Sequence, residues 1–147
     1  MDINSTSNNF KIKGKINKNE LSLVMEVPEN GHVTTNSLPL TQKLLSKHLP
    51  TIFKCQCFNE ANKNFREESR NTEIGHLFEH IMLEYLCIGK IAEGNTDAVY
   101  EGRTNWNWEK DAIGTFYVEI KIGVSESKII KKAFNKSVKL LQKIYKN

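Results

Sequence analysis

Cysteine is scarce in this chain, with three among 147 residues, and the number is odd. That count argues against a disulfide framework and fits a reducing cytoplasm. Long apolar runs are missing too: none approaches the about 20 residues that cross a bilayer, so no membrane span is expected. The first nine residues, Met1 to Asn9, are polar and acidic where a signal peptide would be basic and then apolar. They read as a flexible tail. No internal repeat is visible. What remains is ordinary: 39% hydrophobic and 26% charged residues, consistent with a single domain over 1–147 that buries its own core. The net charge of +4 is unevenly placed, because seven lysines and one glutamate between residues 126 and 147 leave a balance of −2 for everything before them.

The centre of the chain is residues 72–89, which read as one buried helix. Thr72 is placed to cap its start, Glu73 suits the first turn and Gly89 suits the left-handed position past the end. Leu77, Phe78, Ile81, Met82, Leu83, Leu86 and Ile88 spread round the axis, as in a helix enclosed by its own protein. Among them stand His76, Glu79, His80 and Glu84, groups that are costly to bury without partners. His76 and His80 are four residues apart and share a face, with Glu79 on its flank and Glu84 one turn on. Two imidazoles at that spacing make a bidentate claw for zinc, and the flanking carboxylate is placed to take the proton of a water that the metal activates. His76-x-x-Glu79-His80 is the inverted zincin order. The plainer alternative stays open: core histidines bonded to backbone carbonyls, beside a solvated glutamate.

Either side of this helix the chain reads as follows. Residues 10–16 and 20–27 alternate apolar and polar side chains and form a hairpin turning at 17–19, and Pro28–Gly31 is a turn. His32 follows in a loop. A helix opens at Asn36-Ser-Leu-Pro39 with Ser37 as its cap and Pro39 in its first turn, and Pro50 breaks it. Cys55-Gln-Cys57 lacks the second pair that a four-cysteine metal site needs and reads as structural. Asn59–Arg70 is polar and reads as an exposed loop. Gly102-Arg103-Thr104 stands near Trp106 and Trp108, where an arginine beside aromatics clamps a carboxylate, or where an edge strand carries its tryptophans over the core. Residues 113–124 form the clearest strand, with Phe116, Val118, Ile120 and Ile122 on one face and Tyr117, Glu119 and Lys121 on the other. A final helix, capped by Ser125, buries Ile130, Phe134, Leu141 and Tyr145 and turns its lysines outward. Lysines without interleaved aromatics are a solvated face rather than a nucleic-acid grip. The order predicts an α+β two-layer sandwich, a largely antiparallel sheet with helices packed on one face.

Four blocks now carry a resemblance: Asn36-Ser-Leu-Pro39, Glu73-Ile-Gly-His-Leu-Phe-Glu-His-Ile-Met-Leu-Glu84, Gly102-Arg-Thr104 and Phe116-Tyr-Val-Glu-Ile120. In this order they resemble the N-terminal domain of cyanophycin synthetase, over roughly residues 20–145. That family makes a polymer of aspartate bearing arginine, using ATP-grasp and Mur-ligase-like domains that this chain lacks; nothing here resembles a phosphate-binding loop, so neither ligase nor ATP-dependent chemistry is expected. The resemblance implies either a zinc metallopeptidase-like domain that hydrolyses peptide or isopeptide bonds in Asp-Arg material, or a non-catalytic module that binds a charged polymer or partner protein. It implies that His76 and His80 hold the metal with Glu119 as third ligand, that Glu84 is an alternative ligand or orients a histidine, that Glu79 is the catalytic base, and that Arg103 binds substrate. A peptide or polyamide substrate is thus expected, with a homo-oligomer left open and neither membrane nor nucleic acid as partner. The chain departs from the family at Met82, where the family has alanine, at Tyr85-Leu86, where the family's helix end is polar, and in the loop Asn105-Trp-Asn-Trp-Glu-Lys-Asp111, and the loop leaves the substrate open.

Overall fold

A computed structural model describes residues 2–54, 64–94, 100–123 and 126–146. Strands β1 (Asp2–Thr6), β2 (Lys11–Ile16) and β3 (Glu20–Glu26) come first. Short 3-10 turns at Thr35–Ser37 and Pro50–Lys54 flank helix α1 (Thr41–His48). Helices α2 (Phe65–Glu68) and α3 (Ile74–Ala92), strands β4 (Gly102–Asn105) and β5 (Thr115–Lys121) and helix α4 (Ser127–Tyr145) complete the order. The strands form one antiparallel sheet, β1-β2-β3-β5-β4.

Strand alternation decides which side of the sheet is covered. Ile12 on β2, Leu21, Leu23 and Met25 on β3, and Phe116, Val118 and Ile120 on β5 are all buried. Their neighbours Lys11, Lys13, Lys15, Tyr117 and Lys121 are exposed. Each large apolar side chain removed from water contributes about 1.5–3 kcal/mol, so the sheet holds its helices on that one face. The architecture is the α+β two-layer sandwich that the element order predicts. Helices α3 and α4 lie side by side in the second layer, with Phe78 meeting Phe134 edge-on at 6.2 Å. Helix α3 also approaches β5 so closely that a Cβ on Gly75 would stand 2.4 Å from Phe116 Cγ. Only glycine fits there.

Several local expectations change. The expected tail is strand β1: Ile3 is buried, and residues 2–6 pair with Lys11 to Lys15, so an edge strand forms from a polar segment because β2 offers it a ladder. The helix at Asn36 is a 3-10 turn, and α1 begins at Thr41 behind Leu40 without a side-chain cap, so neither Ser37 nor Pro39 lies in it. Of the expected loop at Asn59–Arg70, residues 64–70 hold α2, capped by Asn64, with Phe65 and Ser69 fully buried; residues 59–63 lie outside the described part, as do Cys55, Cys57 and Ser125. Thr72 is not the cap of α3, which starts at Ile74 after Glu73 and runs through Gly89 to Ala92. Thr72 is held instead by the Asn-Ser-Leu-Pro region. Its N–H donates to Thr35 Oγ1 at 2.9 Å, its carbonyl accepts from Thr35 N–H at 2.9 Å, and Thr35 Oγ1 donates to the Ser69 carbonyl at 2.8 Å. A buried polar strap thus fixes where α3 begins. Three residues before Thr35, the exposed His32 accepts at its carbonyl the hydroxyl of Tyr145 at 2.6 Å.

Candidate functional site

The two histidines of α3 meet. His76 and His80, one turn apart on the helix, bring their Nε2 atoms to 3.1 Å. The elements on that side of α3 shape the contact. Phe65, carried by α2, stacks on the His80 ring at 4.0 Å and 20° and meets His76 edge-on at 6.2 Å. Thr72 Oγ1 lies 2.8 Å from His76 Nδ1, and Glu68 Oε1 stands 4.0 Å from the same nitrogen. His80 is 3% exposed, and its Nδ1 has no hydrogen-bond partner among the described residues. Burial and then the neighbouring His76 push its pKa down to about 3. Burial also lowers that of His76, against the opposing pull of Glu68 and Glu73. Both rings are therefore neutral at pH 7, the form in which imidazole binds a metal.

Glu79 occupies the next face of the helix, toward the sheet. It is 5% exposed, and its Oε1 accepts the Thr104 hydroxyl of β4 at 2.6 Å. Gly102, two residues before Thr104, leaves room for it: a Cβ there would sit 3.2 Å from Glu79 Cγ and Oε2. Burial raises the pKa of this carboxyl, and the Thr104 hydrogen bond offsets part of that rise. A carboxyl with a raised pKa in a largely water-excluded position has the character of an acid–base group.

Glu119 is not brought to the histidines. The alternation that points Phe116, Val118 and Ile120 at the helices points Glu119 at the opposite face of the sheet, which is free of the described helices. There its Oε2 takes two hydrogen bonds from Arg103, from Nε at 2.9 Å and from Nη2 at 2.5 Å. The Gly102-Arg103-Thr104 block is thus split by its own alternation: Gly102 and Thr104 serve Glu79, while Arg103 serves Glu119 on the opposite side. Trp108 packs at the edge of the core, 5.5 Å from the Phe116 ring, and its indole N–H donates to the Thr115 carbonyl. Glu84 accepts the hydroxyl of Thr51 from the turn after α1.

The chemistry of the donor set can be tested against zinc. Two imidazole nitrogens on a tetrahedral ion with Zn–N bonds of about 2.0–2.1 Å lie about 3.3 Å apart, and 3.1 Å is close to that. The pair therefore fits as two ligands. A hydrolytic site takes three protein ligands, and among the described residues no group of three or more His, Cys, Asp or Glu side chains gathers at one point. Sequence reasoning missed Phe65, Thr104 and the role of Thr72. Phe65 was legible as the lone aromatic between Asn59 and Arg70; Thr104 and Thr72 act across the fold, and only the structure shows their partners.

Comparison with curated proteins and with solved structures gives no match. A family model described as the cyanophycin synthase-like N-terminal domain matches residues 22–146, which takes in β3 from Ser22 onward, the described helices, β4 and β5, and leaves β1 and β2 outside. With the paired histidines, the buried glutamate and the Gly-Arg-Thr strand all inside the matched span, the chain belongs to the cyanophycin synthase-like N-terminal domain family.

Proposed function

We propose that this chain is a metal-dependent hydrolase of peptide or isopeptide bonds, acting in the cytoplasm on Asp-Arg or related polyamide material. The convergence of His76 and His80 Nε2 at 3.1 Å carries this reading. These two side chains would supply two of the three protein ligands of a zinc ion, stacked in place by Phe65 and oriented from Thr72 and Glu68, and no described residue supplies the third. Bound there, zinc would supply a water of lowered pKa and polarise the amide carbonyl. Glu79, buried beside the pair and raised in pKa, would accept a proton and return it to the leaving amine, released from Thr104 as substrate enters. Glu119 is not part of the proposed ligand set, because Arg103 holds it on the other face of the sheet. Arg103, paired with Glu119 on that same face, is likewise not placed to bind substrate at the histidine pair, and the proposed site draws no substrate contact from it.

One observation favours a second reading. Glu79 is hydrogen-bonded to Thr104 and Glu119 to Arg103, the arrangement of a module that uses these carboxylates to join helix to sheet and strand to strand. Such a module would bind a charged polymer or partner without cutting it. Metal content separates the two. The protein, purified without chelator or nickel resin, is expected to carry about one zinc per chain that His76→Ala loses, and Glu79→Gln is expected to abolish turnover while metal stays bound. Protein that stays metal-free after zinc is supplied would sink the hydrolase and leave the binding module.

A further inference from the structure

Helix α4 carries a charge pattern that neither reading uses. Lys128, Lys132, Lys136, Lys139, Lys143 and Lys146 are all exposed. At 100° per residue they fall within an arc of about 80°, and at 1.5 Å per residue they run for about 27 Å. The opposite side of the helix, Ile130, Phe134, Leu141, Ile144 and Tyr145 among others, is buried in the core, with α3 and α1 packed against the helix. No acidic residue occurs between Ser127 and Lys146. Among the described residues none of the six lysines forms an ion pair; Lys136 lies over the Tyr85 ring at 5.9 Å. Like charges at i, i+3 and i, i+4 repel, and a face that serves only solubility ordinarily mixes in glutamates to relieve that repulsion. Here the repulsion goes unrelieved along the whole helix. Lys47 of α1 adds to it: the His48 pKa is lowered by partial burial, then by Lys143, then by Lys47.

We infer that the lysine row of α4 is a docking surface for an acidic polypeptide segment, whose carboxylates lie along it in an extended run. The chemistry of the face selects this partner. Lysine pairs with phosphate as well as with carboxylate, but nucleic-acid binding ordinarily adds arginine forks and, for single strands, aromatic platforms; the exposed side of α4 has no arginine and no aromatic ring. A membrane surface would want an apolar face to insert, and the apolar face of α4 is already inside the core. A polypeptide of about eight residues spans 27 Å at about 3.4 Å per residue, with carboxylates about 6.8 Å apart on one side, near the about 4.5–6 Å steps between lysines. The surface is independent of the histidine pair and of whether the chain hydrolyses anything.

The test uses the full chain and a fluorescent poly-aspartate of about 20 residues, titrated at low salt and again near physiological ionic strength, where the Debye length shortens to about 8 Å. Charge reversal of the row in Lys132→Glu/Lys136→Glu/Lys139→Glu is compared with Lys11→Glu/Lys13→Glu/Lys15→Glu on the helix-free face of β2, which changes net charge equally. The α4 triple is expected to weaken binding by about tenfold or more and to flatten its salt dependence, while the β2 triple stays within about twofold of the parent. Equal losses in both triples would show attraction by net charge and overturn the inference, as would failure of poly-aspartate to bind at low salt. If the α4 reversal does not fold, Lys132→Gln/Lys136→Gln/Lys139→Gln takes its place, and binding as tight as the parent's then counts against the inference. A 20-base-pair DNA duplex run in parallel decides the partner class: tighter binding of the duplex than of poly-aspartate overturns the polypeptide assignment.

Discussion

Gly75 and Phe65 are the residues on which the geometry of the histidine pair turns. The Cβ of a Gly75→Ala variant would meet Phe116 at 2.4 Å, closer than atoms can pack, so α3 must lift from β5 or the ring must leave its place. Overpacking of that kind costs about 1–3 kcal/mol, and the urea midpoint of Gly75→Ala is expected to fall accordingly despite alanine's better helix propensity. Phe65→Ala removes the ring stacked on His80 and admits water to an imidazole that is 3% exposed. Stability should drop by about 3–5 kcal/mol, and an NMR titration of His80 should show its pKa moving up from about 3 toward the ordinary histidine value. A His80 that still titrates near 3 in this variant would mean that the stacked ring is not what keeps water out.

Elements differ in how plainly the sequence announces them. Strand β5 is legible because Phe116, Val118 and Ile120 alternate with polar residues and the helix layer covers one side only. The same alternation contains the correction for Glu119: a residue out of phase with Phe116 and Val118 faces away from the helices, whatever its place in a motif. Strand β1 is hidden because Asp2-Ile-Asn-Ser-Thr6 has one buried side chain, and its pairing with β2 is a property of both strands. The start of α3 is misread for a related reason. Thr72 has the side chain of a cap, yet its backbone is committed to Thr35, 37 residues earlier, and no local pattern reports that. The histidine spacing was legible from the helix period alone; the stacking Phe65 and the Thr104 hydroxyl were not, because both arrive from other elements. The strap is testable as a unit. In Thr35→Val the Thr72 N–H and the Ser69 carbonyl lose their buried partner, a loss of about 1–3 kcal/mol, and hydrogen exchange should rise first in the opening turns of α3.

Over the whole molecule, one buried carboxylate ties the end of α3 to the start of α4. Glu126, 7% exposed, accepts from Lys90 Nζ at 2.8 Å, from the Tyr100 hydroxyl at 2.8 Å and from the Gly123 N–H. Burial pushes its pKa up, but the hydrogen bonds from Lys90, Tyr100 and Gly123 outweigh that and leave it below its ordinary 4.5. A carboxyl held down in the folded state binds its proton less readily than in the unfolded chain. Its stabilisation is therefore complete above pH 4.5 and fades as pH falls through the lower folded value. Glu126→Ala should lower stability by about 1–3 kcal/mol near neutral pH through the orphaned Tyr100 and Gly123 donors, and the gap to the parent should narrow below pH 4.5 in thermal melts. The order of the sheet has a consequence of another kind, in time. Strand β3 lies at the middle of the sheet, and its partner on one side is the adjacent β2, but on the other it pairs Glu20 with Lys121 and Glu26 with Thr115, 101 and 89 residues further on. During synthesis at about 5–20 residues per second, the hairpin of β2 and β3 leaves the ribosome several seconds before β5 exists. For that interval the future centre of the sheet is an open edge bearing Leu21, Leu23 and Met25, and the nascent chain must be kept from pairing with another copy until its own last strand arrives.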